Sequence, residues 1–99
     1  MQVKIQYEFT GTVWQHSAPG GWFFVSLPIE MAAEIRQHAK ILEEGWGRMK
    51  ATAKIGDTTW DTALWFDTKL GTYLLPIKSE IRRKQLIKKG SNVSIQLLI

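Results

Sequence analysis

A chain of 99 residues with 44% hydrophobic content is long enough for one core and too short for two domains of ordinary size. It has no cysteine, which excludes disulfides, thiolate nucleophiles and sulfur-ligated metals. No apolar run approaches the roughly 20 residues that span a bilayer, and the alternating N-terminus MQVKIQYEF is unlike a signal peptide. We therefore expect a single domain over residues 1–99 that lies in the cytoplasm and has no membrane partner.

The net charge of +4 is distributed unevenly along the chain. Segment 78–89 holds six of the thirteen basic residues and one acid, Glu80, so it carries a charge of +5. The other 87 residues sum to about −1. Any attraction to polyanions is therefore expected to be local to this segment.

The first half of the sequence predicts two strands and a helix. Apolar and polar residues alternate over 2–13, which is typical of a half-buried strand, and Gly11 is a site for a bend or bulge near its end. The run 22–27 predicts a second strand, apolar on both faces, joined to the first by a loop near 17–21. A proline and the helical spacing of the apolar residues after it predict a helix over about 29–43.

A hairpin follows the GWG at 45–47. Its central pair, Gly56-Asp57, is typical of a two-residue turn with glycine at the first central position. That turn predicts a register of six pairs: Ile55 with Thr58, Ala53 with Trp60, Thr52 with Asp61, Ala51 with Thr62, Met49 with Leu64 and Arg48 with Trp65. Small residues then face large ones, as a curved and closed sheet requires.

The last third predicts two more strands and a short helix. A turn at 67–71 leads to a strand at 72–77, and a helix over about 79–87 follows, with Gly90 as its C-terminal cap. An alternating strand over 93–99 ends the chain. The expected fold is therefore mostly β, a β-barrel of about six strands with two short helices.

The two halves contain a similar pattern of a strand, the letters LPI and a helix with EIR. It occurs in WFFVSLPIEMAAEIRQ, which starts at Trp22, and in GTYLLPIKSEIRRKQ, which starts at Gly71. The spacing differs by two residues between the copies. An old duplication and chance similarity over three-residue blocks are both open explanations.

Four blocks of the sequence resemble a known family. GGWFFVSLP, GWG, IGDTTWDTALWF and GTYLLPIKSEIRRKQLIKKG are similar to the bacterial and archaeal domain-of-unknown-function family 1905. The resemblance implies a small barrel of the double-split type, the architecture of AbrB and MazE proteins, and members of the family have no assigned activity.

The stretch YLLPIKSEIRRKQLIKKGSNVSI is also similar to the AbrB-type half-barrel, with a strand, a proline, a short basic helix, a glycine and a final strand. Ser91 follows Gly90 where that pattern commonly has Asp. AbrB-type barrels use two chains, whereas this chain is long enough to supply both halves. The resemblance therefore implies a single-chain pseudo-dimer.

No motif predicts catalysis, a metal or a cofactor. His16 and His38 lack a recognisable ligand spacing, and neither a nucleophile elbow nor a phosphate-binding glycine loop occurs. The carboxylates Asp57, Asp61 and Asp67 are near one another in sequence, but two of them fall at predicted turns, where Asp is favoured for its backbone hydrogen bonds. We therefore do not expect an enzyme.

Five tryptophans in 99 residues support two interpretations. Trp22, Trp46 and Trp60 are expected in the core or at a barrel end. Trp14 and Trp65 fall on the outer face by strand parity, where an indole can stack on a base, a sugar ring or a partner side chain, unless a helix covers it. A glycine pair before Trp22 leaves room for a ligand, so the candidate ligand or partner contacts are Trp14, Trp22 and Trp65.

Basic residues form the other candidate surface. The candidate nucleic-acid contacts are those of the charged segment and of the third strand's outer face: Lys78, Arg82, Arg83, Lys84, Lys88, Lys89, Arg48, Lys50 and Lys54. Such residues are also common on solvated helix surfaces, and cations are favoured at a helix C-terminus. The sequence favours a non-enzymatic module that binds a protein or small ligand; AbrB-like DNA binding is the alternative, and an unassigned enzyme is a third class.

Overall fold

Six antiparallel strands close into a barrel in the computed structural model, which describes residues 5–17, 20–39 and 48–99. The elements in chain order are β1 (Gln6–Gln15), β2 (Phe23–Ser26), α1 (Ile29–Ala39), β3 (Arg48–Ile55), β4 (Thr58–Asp67), β5 (Thr72–Pro76), α2 (Ser79–Lys84) and β6 (Asn92–Leu98). Around the barrel the order is β1-β2-β5-β4-β3-β6, and β6 pairs back onto β1. The predicted mostly β barrel with two helices is confirmed.

The β3–β4 hairpin has the predicted register throughout, from Ile55 opposite Thr58 to Arg48 opposite Trp65. Gly56 has a φ of 59°, as the first central position of this turn requires. Ala53 is fully buried opposite Trp60, so the small side chain leaves room for the large one inside the barrel.

Strand β1 continues two residues further than predicted, and Gly11 is not at a bulge. Gly11 pairs with Val93 in an uninterrupted ladder to β6. A Cβ added to Gly11 would lie 2.6 Å from Val25 Cγ1, which is too close for carbon atoms. The glycine is therefore required by the close approach of β2 and not by a bend in β1.

Helix α2 ends at Lys84 and not at residue 87, so the prediction of Gly90 as its cap is wrong. Leu86 adopts a left-handed φ of 54°, and Ile87 N–H donates to Arg82 O at 2.8 Å. This is the Schellman arrangement, with leucine where glycine is usual. It turns the chain so that Ile87 enters the core.

The two helices start at opposite ends of the β2–β5 pair, because each follows one of these two antiparallel strands. Ala32 and Ile35 of α1 are buried, as is Ile81 of α2. The side chain of Gln85, which follows α2, donates to Asp57 Oδ1 at 2.9 Å and so joins α2 to the β3–β4 turn. The predicted helical residues 40–43, the GWG at 45–47 and the N-terminal part of the first predicted strand lie outside the described residues.

The strand order has internal two-fold symmetry. Exchanging β1 with β4, β2 with β5 and β3 with β6 leaves every neighbour relation unchanged. Two hydrogen bonds are equivalent under this exchange, Leu27 N–H to Tyr73 O at 3.0 Å and Ile77 N–H to Phe23 O at 2.8 Å. The two halves of the chain therefore build corresponding halves of one barrel.

For β2 with β5 and α1 with α2 the equivalence is a shift of 50 positions, because α1 begins at Ile29 and α2 at Ser79. Pro28 then corresponds to Lys78, whereas Pro76 is the last residue of β5. The repeated LPI letters are therefore offset from the structural equivalence by two residues. The fold repeats, but those letters do not mark equivalent positions.

Candidate functional site

Aromatic rings on the outside of the barrel form a continuous surface. The ring of Phe24 lies 5.2 Å from that of Trp14 and 6.3 Å from that of Trp22, and Trp22 lies 6.3 Å from Trp65 in an edge-on orientation. We call these four residues the aromatic face. It contains all three tryptophans that the sequence nominated for ligand or partner contact.

Strand alternation directs these rings outward. Val13, Val25 and Leu64, which neighbour them along β1, β2 and β4, are buried inside the barrel. Between β2 and β4, β5 places Leu74 opposite Trp65 and Pro76 opposite Phe24. The aromatic face therefore crosses four adjacent strands on an apolar base.

Trp22 is 61% exposed, so of the two places expected for it, the core or a barrel end, the core is wrong. Trp60, assigned to the core by the same argument, is 8% exposed and confirms it. The strand 22–27 is apolar on both faces, which left its parity ambiguous in the sequence. Once Val25 is known to point inward, Trp22 falls on the outward side with Phe24. Trp46 lies outside the described residues.

Trp14 and Trp65 both lie outside the barrel, as predicted, but differ in their surroundings. Trp14 is half-buried and its indole N–H donates to Ser26 Oγ at 2.9 Å. Trp65 is 42% exposed, and the Arg48 guanidinium lies 5.6 Å from its ring centre. Trp22 and Trp65 are therefore the rings that the face presents to solvent.

A pocket of about 240 Å³ adjoins the aromatic face between Gly20–Trp22, which we call the Trp22 loop, and the start of α2. Phe23 and Ile77 contribute apolar surface to it, and Lys78 and Arg82 contribute charge. The Arg82 guanidinium lies 3.7 Å from the centre of the Phe23 ring, and its Nε donates to Ile77 O at 3.2 Å. The sequence nominated Arg82 for nucleic acid; the structure places it in this pocket.

The nine nominated basic residues do not form one surface. Arg48 and Lys54 stand at opposite ends of β3, about 20 Å apart for six strand residues. Lys54 lies near the β3–β4 turn, which α2 also contacts, whereas Arg48 lies beside Trp65. The cations of β3 are therefore divided between its two ends, with Lys54 towards α2 and Arg48 at the aromatic face.

The acidic side chains that the sequence grouped have structural partners. Asp67 Oδ1 accepts the Leu70 N–H at 2.9 Å in the β4–β5 turn, and Asp61 Oδ1 accepts the Thr52 hydroxyl at 3.1 Å. Within the described residues, no three His, Cys, Asp or Glu side chains group as a metal site would require. None of the described helices is long and apolar enough to cross a membrane.

Fold and surface together define a small closed β-barrel with two helices and an exposed aromatic face. The chain matches the family described as a domain of unknown function (DUF1905) over residues 9–97 and belongs to that family. The family resemblance seen in the sequence blocks is therefore confirmed. No protein with a curated description matches the chain.

Proposed function

We propose that this protein is a non-enzymatic binding module whose aromatic face stacks against the flat ring of a small ligand. The observation that supports this most is the exposure of Trp22 and Trp65 side by side, at 61% and 42%. Large aromatic side chains usually bury most of their area, so two adjacent exposed indoles leave a ring-sized apolar surface in water.

The arrangement suits a flat ligand better than a protein segment. Trp22 and Trp65 meet edge-on at 64°, so a ring stacked on one indole also touches the other. Phe24 and Pro76 provide a rigid base because both lie in the paired part of the sheet.

The test uses 2-naphthamide, an uncharged flat probe, and the indole N–H resonances in ¹H–¹⁵N NMR spectra. A ligand efficiency of about 0.3 kcal/mol per non-hydrogen atom gives a Kd on the order of 1 mM. We expect saturable shifts of the Trp22 and Trp65 resonances and an unchanged Trp60 resonance, because Trp60 lies inside the barrel.

Trp22→Ala and Trp65→Ala should each weaken this binding by about fivefold or more. Leu70→Ala is the control, since Leu70 is an exposed apolar residue in the β4–β5 turn and outside the aromatic face. If neither indole resonance shifts up to the solubility limit of the probe, or if Leu70→Ala weakens binding equally, the proposal is wrong.

Duplex DNA binding through segment 78–89 is the second candidate. In its favour, Arg83, Lys88 and Lys89 are exposed. Glu80, the acid of this segment, pairs with Lys84 at 3.4 Å and with none of these three cations. Several such cations can neutralise phosphates.

Fluorescence anisotropy of a labelled mixed-sequence duplex at several salt concentrations tests this candidate. A slope of log affinity on log salt of about −3 or steeper, reduced by about 2 to 3 when Arg83, Lys88 and Lys89 are changed to Ala, would support it. Arg82 is left intact because it packs on Phe23. Absence of binding at low salt would eliminate it.

A further inference from the structure

We propose that the pocket between the Trp22 loop and the start of α2 binds the acidic group, a carboxylate or a phosphate, of a ligand whose ring lies on the aromatic face. This inference rests on the proposed function and names the chemical class of the ligand. Trp22 joins the two regions, because it belongs to the aromatic face and also lines the pocket.

The size of the pocket fits one end of a ligand. Its volume of about 240 Å³ is below the range of about 300–1,000 Å³ that is typical for whole ligands. The rest of a ligand whose acidic group lies there must therefore extend out of the pocket, and Trp22 lies at the edge where it would leave. The ring and the acidic group then occupy adjacent regions.

Two cations define the charge of the pocket. Arg82 N–H donates to Lys78 O at 3.1 Å, so the two residues are one turn apart and on the same side of α2. Ser79 adds a hydroxyl to the same wall. Among the described residues that line the pocket there is no Asp or Glu, and Glu80 pairs with Lys84 instead.

Arg82 is already oriented before any ligand binds. Its Nε donates to Ile77 O and its guanidinium packs on the Phe23 ring. The Arg82 side chain therefore loses little further conformational entropy when an anion binds. Arg also presents a planar set of donors that matches carboxylate and phosphate oxygens. An anion in this pocket would meet one oriented cation, Arg82, and one exposed cation, Lys78.

Isothermal titration calorimetry with three matched probes tests the inference: 2-naphthoate, 2-naphthyl phosphate and the uncharged 2-naphthamide. We expect one or both acids to bind about tenfold more tightly than the amide, which is about 1.4 kcal/mol. The better of the two acids shows whether a carboxylate or a phosphate fits the pocket. Equal affinity for all three probes overturns the inference and leaves ring stacking intact.

Lys78→Gln should weaken binding of the preferred acid about three- to tenfold and leave the amide within twofold. Arg82→Gln should have a similar effect, and an unfolding curve shows whether losing its contact with Phe23 also alters stability. Lys89→Gln makes the same charge change in the same segment outside the pocket. If Lys89→Gln weakens acid binding as much as Lys78→Gln, the acids respond to general charge and the pocket assignment is wrong.

Discussion

Trp14 and Trp65 occupy equivalent positions in the two halves of the barrel. Trp14 pairs with Phe24 on β2, and Trp65 pairs with Leu74 on β5. Phe24 and Leu74 are 50 positions apart and the two tryptophans are 51 apart, because the β1–β2 and β4–β5 registers differ by one residue. The two indoles nevertheless differ in their contacts and exposure. Trp14 is fixed to Ser26 by a hydrogen bond, whereas Trp65 is exposed beside Trp22. The symmetric barrel thus carries an asymmetric surface.

The hydrogen bond between Trp14 and Ser26 should contribute to stability. Ser26→Ala removes the acceptor of the half-buried indole N–H and is expected to lower the free energy of unfolding by about 1 kcal/mol. Urea unfolding followed by circular dichroism measures the change. In a Trp14→Phe background the same substitution should cost much less, because the donor is already absent. Equal costs in both backgrounds would show that the bond contributes nothing.

Gly11 is the position where strand packing leaves no room for a side chain. Gly11→Ala places a Cβ 2.6 Å from Val25 Cγ1, and we expect a loss of about 1–3 kcal/mol in the free energy of unfolding. Val25→Ala removes the clashing methyl group, so the cost of Gly11→Ala should fall in that background. Thermal or urea unfolding of the four chains tests the coupling, and purely additive costs would contradict the steric explanation.

Much of the barrel could be predicted from local patterns. The β3–β4 hairpin is fixed by its turn and by strict alternation, and both depend only on neighbouring residues. The aromatic face could be predicted only in part. The parity of Trp14 and Trp65 follows from their strands, but Trp22 precedes a short strand that is apolar on both sides, so its direction depends on what β1 and β5 place against Val25.

The pocket could not be predicted, because it joins residues from two distant parts of the chain. Phe23 and Arg82 are in contact only because β2 and β5 are neighbours in the barrel. From the charge of segment 78–89 alone, Arg82 was expected to be a surface residue that contacts nucleic acid. Composition does not show that its guanidinium packs on the Phe23 ring. The pairing of β2 with β5 therefore determines that Arg82 lies in the pocket beside the aromatic face.

Leu86 is expected to be a position where glycine stabilises the protein. It has a left-handed φ of 54°, which costs an L-residue about 1–2 kcal/mol, and its side chain is 88% exposed and so loses little burial on removal. After the greater flexibility of glycine in the unfolded chain is subtracted, Leu86→Gly should raise the free energy of unfolding by about 0.5–1 kcal/mol. Leu86→Ala keeps the Cβ and serves as the control. If glycine is no better than alanine there, backbone strain at this position is negligible.

The Tyr7 phenol should make stability fall at high pH. Burial, and secondarily the negative charge of Glu34, raises the pKa of Tyr7 above its ordinary value of 10.0. As pH rises above 10, the unfolded chain releases this proton while the folded chain keeps it, so the contribution present below pH 10 is lost up to the folded pKa.

Urea unfolding of the wild type and of Tyr7→Phe between pH 8 and about pH 11 tests this expectation. The two chains differ only at residue 7, so the contributions of all other groups cancel in the difference. That difference should be constant below pH 10 and then shift against the wild type by at most about 1.4 kcal/mol per pH unit. A difference that stays constant through this range would mean that Tyr7 ionises as easily in the folded protein as in the unfolded chain.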